Sequence, residues 1–302
     1  MADGHSTSSR VVERVGWFVR LARPWQWYKQ SVLLLGIVFS RQMLEPSAWP
    51  PVLVGIVSFC AVTSGMYVLN DVRDRERDRN HPQKRYRPVA SGAVSVPVAV
   101  GYALVLLVGG FALAWSVGPT FSASAVAYVL VTVAYTLGLK RYVHLDVITI
   151  AIGFVIRAVA GVLAVEAAIS PWLVVCTFLV ALMLALGKRR RELDVSDPGM
   201  VRSVNEAYTE TEVEQLLLIV ISTLLLSYSL YTFFGTRDEL VVTLPFAYYA
   251  VFRYHRFVHV ERLDGSVQRL LTDRLFLANG LCWGLVTLTV LYRIPEKVGF
   301  AS

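Results

Sequence analysis

Apolar residues in this chain fall in long, nearly unbroken runs rather than at alternate positions or on one helical face. Runs approaching 20 residues suit helices that cross the hydrocarbon core of a bilayer. Nine stretches carry this pattern, roughly Ser31–Phe39, Pro51–Leu69, Val94–Val117, Phe121–Leu139, Leu145–Ala167, Pro171–Gly187, Val213–Phe234, Leu240–Phe252 and Arg274–Tyr292. The first and eighth are short as purely apolar runs. They reach spanning length only if Trp25, Trp27 and Tyr28, or Tyr248, Tyr249 and Tyr254, extend them into the membrane interface. The pattern predicts an all-α membrane protein of nine transmembrane helices. It forms a single polytopic domain over residues 1–302, with residues 1–22 as a polar, amphipathic N-terminal segment.

Composition agrees. Of 302 residues, 55% are hydrophobic and 17% charged. A soluble domain of this size would need more charge to cover its surface. The N-terminal "MADGHSTSSR" is polar, and the sequence predicts no cleaved signal. Cys60, Cys176 and Cys282 all fall within apolar stretches without CxxC or metal spacing, and they read as small buried residues.

The basic residues then give the chain a direction. Placed on the nine-span scheme, 24 of the 29 Lys and Arg residues fall on one side, four on the other, and Arg157 within a span. The positive-inside rule predicts a cytoplasmic N-terminus and an external C-terminus in the plasma membrane. The net charge of +7 is thereby explained without nucleic acid.

The second stretch runs directly into "NDVRDRERDRNHPQKRYRP", Asn70 to Pro88, four acids among seven basic residues. On a helix continuing from that span, Asn70, Asp74, Asp78 and Asp71 share an arc of about 100°, with arginines on both flanks. His81-Pro82 would end the helix. One reading is a solvated helix whose charges pair with each other. The other is a set of hard oxygen donors for Mg²⁺ bridged to a diphosphate, with arginines taking the remaining phosphate oxygens.

"NDVRDRERD" fits the NDxxDxxxD signature and resembles the UbiA-like intramembrane prenyltransferase superfamily. "RPWQWYKQ" at Arg23–Gln30, "RPVASG" at Arg87–Gly92 and "YTLGLKR" at Tyr135–Arg141 followed by Asp146 extend the resemblance along nearly the whole chain. It implies a UbiA-like helical bundle of nine helices with a cytoplasmic-facing active site. Where the superfamily usually carries a second aspartate cluster, this chain reads "GKRRRELDVSD", with only Glu192, Asp194 and Asp197 behind four basic residues. In that departure the chain is similar to the decaprenyl-phosphate phosphoribosyltransferases, a group within the superfamily.

This second resemblance implies the chemistry. A 5-phosphoribosyl group passes from 5-phosphoribosyl diphosphate to a polyprenyl phosphate, diphosphate leaves, and the product serves cell-wall arabinan synthesis. It implies Mg²⁺ on Asn70, Asp74 and Asp78, with Asp71 beside them and Asp71, Asp74 and Asp78 as the catalytic acids. The acceptor phosphate is already ionised and needs little or no base, which suits five histidines with no shared spacing. Lys29, Lys84, Arg85, Arg87, Lys140, Arg141, Lys188, Arg189 and Arg190 are candidates for the phosphates the metal does not reach, and Tyr86 and Tyr135 for the ribose. Asp146, Glu192 and Asp194 complete the expected substrate site. Arg157 lies about 18 Å along its span. An intramembrane arginine faces a central cavity and substrate, or serves as a structural residue bonded to backbone carbonyls. Gly153 and Gly161 beside it predict close helix packing.

Two other functions stay open at this point. One is prenyl transfer from a prenyl diphosphate to an aromatic acceptor, against which the weak second acid cluster argues. The other is transport, against which the lack of internal repeats and the surface position of the charges argue. A homo-oligomer, including a trimer, is compatible with the lipid-facing surfaces, though nothing in the sequence counts subunits.

Overall fold

A computed structural model describes residues 15–194, 208–235, 237–259, 270 and 272–293. A helical turn over 15–22 leads into a 3₁₀ segment, Pro24–Leu33, that continues as α1, Leu34–Phe39. The main helices follow: α2 Trp49–Arg73, the short α3 Arg75–Arg79, α4 Val96–Val117, α5 Pro119–Leu137, α6 Leu145–Ala164, α7 Pro171–Asp194, α8 Glu210–Phe234, α9 Leu244–His259 and α10 Arg274–Leu291. Several start with proline in their first turn, where its missing N–H costs nothing. At α8 the side chain of Thr209 accepts from the N–H of Glu212, and at α10 Asp273 accepts from Phe276 N–H at 2.8 Å.

Among the described residues, seven helices are long and apolar enough to cross a membrane: Pro46–Arg73, Val96–Val117, Pro119–Leu137, Leu145–Ala164, Pro171–Leu193, Glu210–Phe234 and Arg274–Leu291. The first and eighth expected spans are helical but built differently. The first is a ten-residue 3₁₀ segment followed by the six residues of α1, and the eighth is a six-residue 3₁₀ segment, Asp238–Thr243, followed by the 16 residues of α9. These were the two stretches whose apolar runs were short.

Helices α2 and α6 are the most enclosed of the seven, while α4 and α10 turn most of their residues outward. One apolar core gathers Leu33, Ile37, Val52, Phe59, Phe121 and Ala160 among α1, α2, α5 and α6. A second joins α7, α8 and α9 through Leu186, Leu217 and Tyr254. Gly161 does what its sequence context predicts. A Cβ there would lie 1.9 Å from Leu33 O, so only glycine lets the first helical segment touch the α6 backbone. Gly153 instead leaves space that Arg157 and Tyr128 fill.

Candidate active site

The continuous acid helix is corrected first. The backbone leaves α-helical geometry at Asp74 (φ −86°, ψ 8°), so α2 ends at Arg73 and α3 restarts at Arg75. The expected stripe is therefore bent at its middle carboxylate, and each member finds a different partner. Asn70 Oδ1 accepts from Thr136 Oγ1 on α5 at 2.9 Å. Asp71 is buried and its Oδ1 accepts from Arg23 at 2.5 Å and Arg87 at 3.0 Å. Asp78, also buried, accepts from Arg87 at 2.7 Å. Asp74 is the open one, with Lys140 Nζ at 3.5 Å from its Oδ2 and about a third of its side chain exposed.

Arg23 reaches Asp71 from a left-handed backbone (φ 53°) just before Pro24, with its guanidinium 5.1 Å from the Tyr67 ring centre. Trp27 donates to Ser64 at 3.0 Å, and Ser64 in turn donates to Ala22 O at 2.7 Å, which holds this segment against α2. The "RPWQWYKQ" block thus supplies a wall of the acid site.

Among the described residues, no three His, Cys, Asp or Glu side chains converge as a metal-binding group. The donor set still has the chemistry Mg²⁺ requires. Asn70, Asp74 and Asp78 offer hard oxygens on neighbouring turns, and Asp74 lies open to solvent. Asn70 is bonded to Thr136, Asp74 is paired with Lys140 and Asp78 with Arg87.

Lys29 is half-buried and has no hydrogen bond or ion pair among the described residues. It lies outside the seven spanning helices. Burial, followed by the charges of Arg157, Lys188 and Arg23, pulls its pKa down to about 8. Those influences put Lys29 within electrostatic reach of Arg157, Lys188 and Arg23.

Arg157 does not serve as an open substrate ligand. Its guanidinium is buried and donates to Gln30 Oε1, Gly153 O and Tyr128 OH, each at 2.8 Å. Gln30 donates onward to Thr63 at 3.2 Å. This is the structural alternative the sequence left open, with one addition. No carboxylate among the described residues lies within ion-pair distance of Arg157, so its charge remains uncompensated and reaches Lys29.

The basic run at the C-terminal end of α7 is paired within the chain. Arg189 is buried and donates to Asp146 Oδ2 at 2.9 and 2.5 Å and to Glu192 at 2.5 Å. Arg190 pairs with Glu210 and, at 3.0 Å, with Glu214 on α8. Both arginines thus carry their own counter-ions from this chain. Lys188 is exposed, with Glu192 at 3.8 Å. Asp146 is fully buried. Its other oxygen accepts from Tyr208 OH at 2.8 Å, and Tyr208 OH accepts from His144 N–H at 2.7 Å. Burial and the bond to Asp146 raise the Tyr208 phenol above its ordinary pKa.

The remaining candidates lie around these two clusters. Lys84 and Tyr135 are half-buried, and Arg141 is exposed. Arg85 lies 4.9 Å from the Tyr86 ring centre and donates to its hydroxyl at 2.6 Å, both residues being exposed. The side chains of Asp194 and Asp197 lie outside the described residues. Sequence reasoning missed Arg23, Thr136 and Tyr208 as site members. Arg23 opens one quoted motif and Thr136 is the second residue of another, "YTLGLKR", whereas Tyr208 stands in no motif.

A bundle of apolar helices that gathers acids and a larger number of cations at one end defines a polytopic membrane protein equipped for phosphate chemistry. The comparisons make this specific. Residues 32–280 match the UbiA prenyltransferase family, and the chain belongs to that family. It is 32% identical over 281 residues to a decaprenyl-phosphate phosphoribosyltransferase of Mycobacterium tuberculosis, covering 88% of this chain and 91% of that one. It is 31% identical over 250 residues to the protein of the same name from Mycolicibacterium smegmatis, covering 80% and 78% respectively. Its fold is similar to that of a UbiA homologue from Archaeoglobus fulgidus bound to GPP and Mg²⁺. The TM-score is 0.72 at 18% identity, covering 92% of this chain and 100% of that one.

Proposed function

We propose that this chain transfers a 5-phosphoribosyl group from 5-phosphoribosyl diphosphate to a polyprenyl phosphate and releases diphosphate. The observation that carries this reading is the asymmetry between the two acid clusters. The first keeps an open carboxylate, Asp74, while Glu192, the one acid of the second whose side chain is described, is paired with Arg189 and lies 3.8 Å from Lys188. One metal-competent acid site beside Lys29, which has no ion pair among the described residues, and the exposed, weakly paired Lys188 fits one diphosphate and two further phosphates. It does not fit a diphosphate shared between two acid clusters. The names of the two mycobacterial relatives support the same substrates.

Asn70, Asp74 and Asp78 would hold Mg²⁺, which supplies neutralisation of the departing diphosphate. Asp71, between Arg23 and Arg87, positions those arginines around the site. Lys29 and Lys188 hold the phosphates outside the metal's reach. The C1–O bond to diphosphate breaks with its electron pair going to the leaving group, and C1 gains oxocarbenium character. An oxygen of the lipid phosphate forms the new bond to C1. That phosphate is ionised near neutral pH, so no side chain needs to take a proton from it. This accords with histidines engaged elsewhere: His144 is turned to Glu212 at 2.9 Å, and His81 Nδ1 accepts from the backbone N–H groups of Gln83 and Lys84 at 3.2 and 3.3 Å.

The reading also includes the expected setting. The chain forms one membrane domain in which Ser31–Phe39 and the α9 segment join the seven spans, with the N-terminus and the site cytoplasmic. Purified protein supplied with labelled phosphoribosyl diphosphate, Mg²⁺ and polyprenyl phosphate should form an acid-labile labelled lipid. EDTA and Asp74→Ala should each abolish it. Turnover only with a prenyl diphosphate and an aromatic acceptor would overturn the proposal.

A further inference from the structure

Three carboxylates at the end of α2 and in α3 are matched by three cations. Asp71 holds Arg23 and Arg87, Asp78 holds Arg87, and Asp74 holds Lys140. A motif neutralised in this way offers a lone divalent ion little net attraction. Two of the cations are placed to let go. Arg87 binds both Asp71 and Asp78 through a single terminal nitrogen, Nη1, at 3.0 and 2.7 Å, and is about a third exposed. Its Nε and second terminal nitrogen make no hydrogen bond among the described residues and present an edge that suits a phosphate. Lys140 stands on the short 3₁₀ turn Leu139–Arg141 between α5 and α6, at 3.5 Å from an exposed carboxylate, a separation at which pairing is weak. Arg23 differs from both. It is anchored by its strained backbone, by Tyr67 and by a 2.5 Å bond to a buried carboxylate.

We propose that Arg87 and Lys140 are exchange residues. Without ligand they hold the acid motif. When a diphosphate arrives they transfer to its oxygens and release Asp74 and Asp78 to the metal. The inference rests on the Mg²⁺–diphosphate reading above and adds an order to it: metal and diphosphate bind together, and neither binds well alone. The chain thereby avoids holding a bare divalent ion at its surface, and selects a donor that carries a diphosphate over one that carries a single phosphate.

The test uses the full chain in detergent, with Mn²⁺ as probe. Bound Mn²⁺ is read by electron paramagnetic resonance after equilibrium dialysis, with and without inorganic diphosphate. Mn²⁺–diphosphate in the protein-free compartment is subtracted. The wild type should bind Mn²⁺ weakly alone and about tenfold more tightly with diphosphate. Lys140→Gln should bind Mn²⁺ alone about fivefold more tightly than wild type and gain less from diphosphate. Arg77→Gln removes an exposed charge of the same segment and should stay within about twofold of wild type. Equal Mn²⁺ affinity with and without diphosphate in the wild type would overturn the exchange while leaving the metal reading intact. So would a Lys140→Gln protein that binds Mn²⁺ with diphosphate but gains nothing without it. No Mn²⁺ bound under either condition would instead remove the metal reading itself. The wild-type contrast decides the ordering even if a variant fails to fold.

Discussion

Lys29 and Arg157 show how single residues set the working range of the site. Lys29 is held near a pKa of about 8 by burial first and by Arg157, Lys188 and Arg23 next. Below that pH the ammonium is charged and attracts a phosphate; above it the amine is neutral and does not. The expected profile is therefore a kcat/KM that falls above pH 8 or so through KM rather than kcat. Lys29→Arg, whose guanidinium stays charged, should move that limb upward. An unchanged limb in Lys29→Arg would assign it to another group. Arg157→Met should act at a distance on the same limb. Removing an uncompensated positive charge lets the Lys29 pKa rise, so the fall should begin at higher pH. The variant also leaves Gln30 and Tyr128 without their partner, at a stability cost of about 2–3 kcal/mol, readable as a lower Tm in detergent. The sequence marked Arg157 as exceptional because arginine is costly inside a span. It could not give the direction of the side chain, since Gln30, Gly153 and Tyr128 come from three separate segments. Arg189 and Arg190 misled for a related reason. Their charges were legible, but their counter-ions, Asp146 and Glu210, lie 43 and 20 residues away.

At the scale of elements, the periodicity located the long helices because each apolar run is continuous. It overstated the helix at Asn70–Arg79 because angular spacing assumes unbroken geometry, and the backbone leaves that geometry at Asp74. The tie among α6, α7 and the start of α8 was likewise hidden. It centres on Asp146, which is fully buried and joins Arg189 on α7 to Tyr208 just before α8. Asp146→Asn should leave Arg189 buried without its full counter-charge, at a cost of about 3–5 kcal/mol. Tyr208→Phe removes one hydrogen bond and should cost about 1 kcal/mol. Hydrogen exchange at the first turn of α8 distinguishes this tie from a diffuse core effect. Faster exchange confined to that turn and to the end of α7 is expected. Uniform loosening would contradict the tie. Gly161→Ala tests a different joint, since its Cβ would meet Leu33 O at 1.9 Å. It should destabilise the contact between the first helical segment and α6 without changing the Lys29 limb.

For the whole molecule, the charge distribution predicts sidedness. Ser91 follows the acid motif on the face read as cytoplasmic, and Ala168 lies exposed between α6 and α7 on the opposite face. With the three native cysteines replaced, Ser91→Cys should react with an impermeant thiol reagent only from the cytoplasmic side, and Ala168→Cys only from outside. The opposite pattern would invert the topology and place the site on the outer face. Fold and family were legible because nine apolar stretches and one acid motif recur at characteristic separations. The division of cations between structure and site was not, because it depends on which charges meet across helices.

The central claim is that the acid motif and the cations left unneutralised beside it carry phosphoribosyl transfer to a lipid phosphate. Its most direct test is the transfer of label from phosphoribosyl diphosphate to polyprenyl phosphate by the purified chain, with Lys29→Gln run beside Arg190→Gln. The account predicts a labelled lipid whose formation requires Mg²⁺, a KM for the donor raised about tenfold or more in Lys29→Gln, and a nearly unchanged KM in Arg190→Gln, whose charge is already paired within the chain. Absence of labelled lipid with the wild type, or a larger KM effect in Arg190→Gln than in Lys29→Gln, would contradict it.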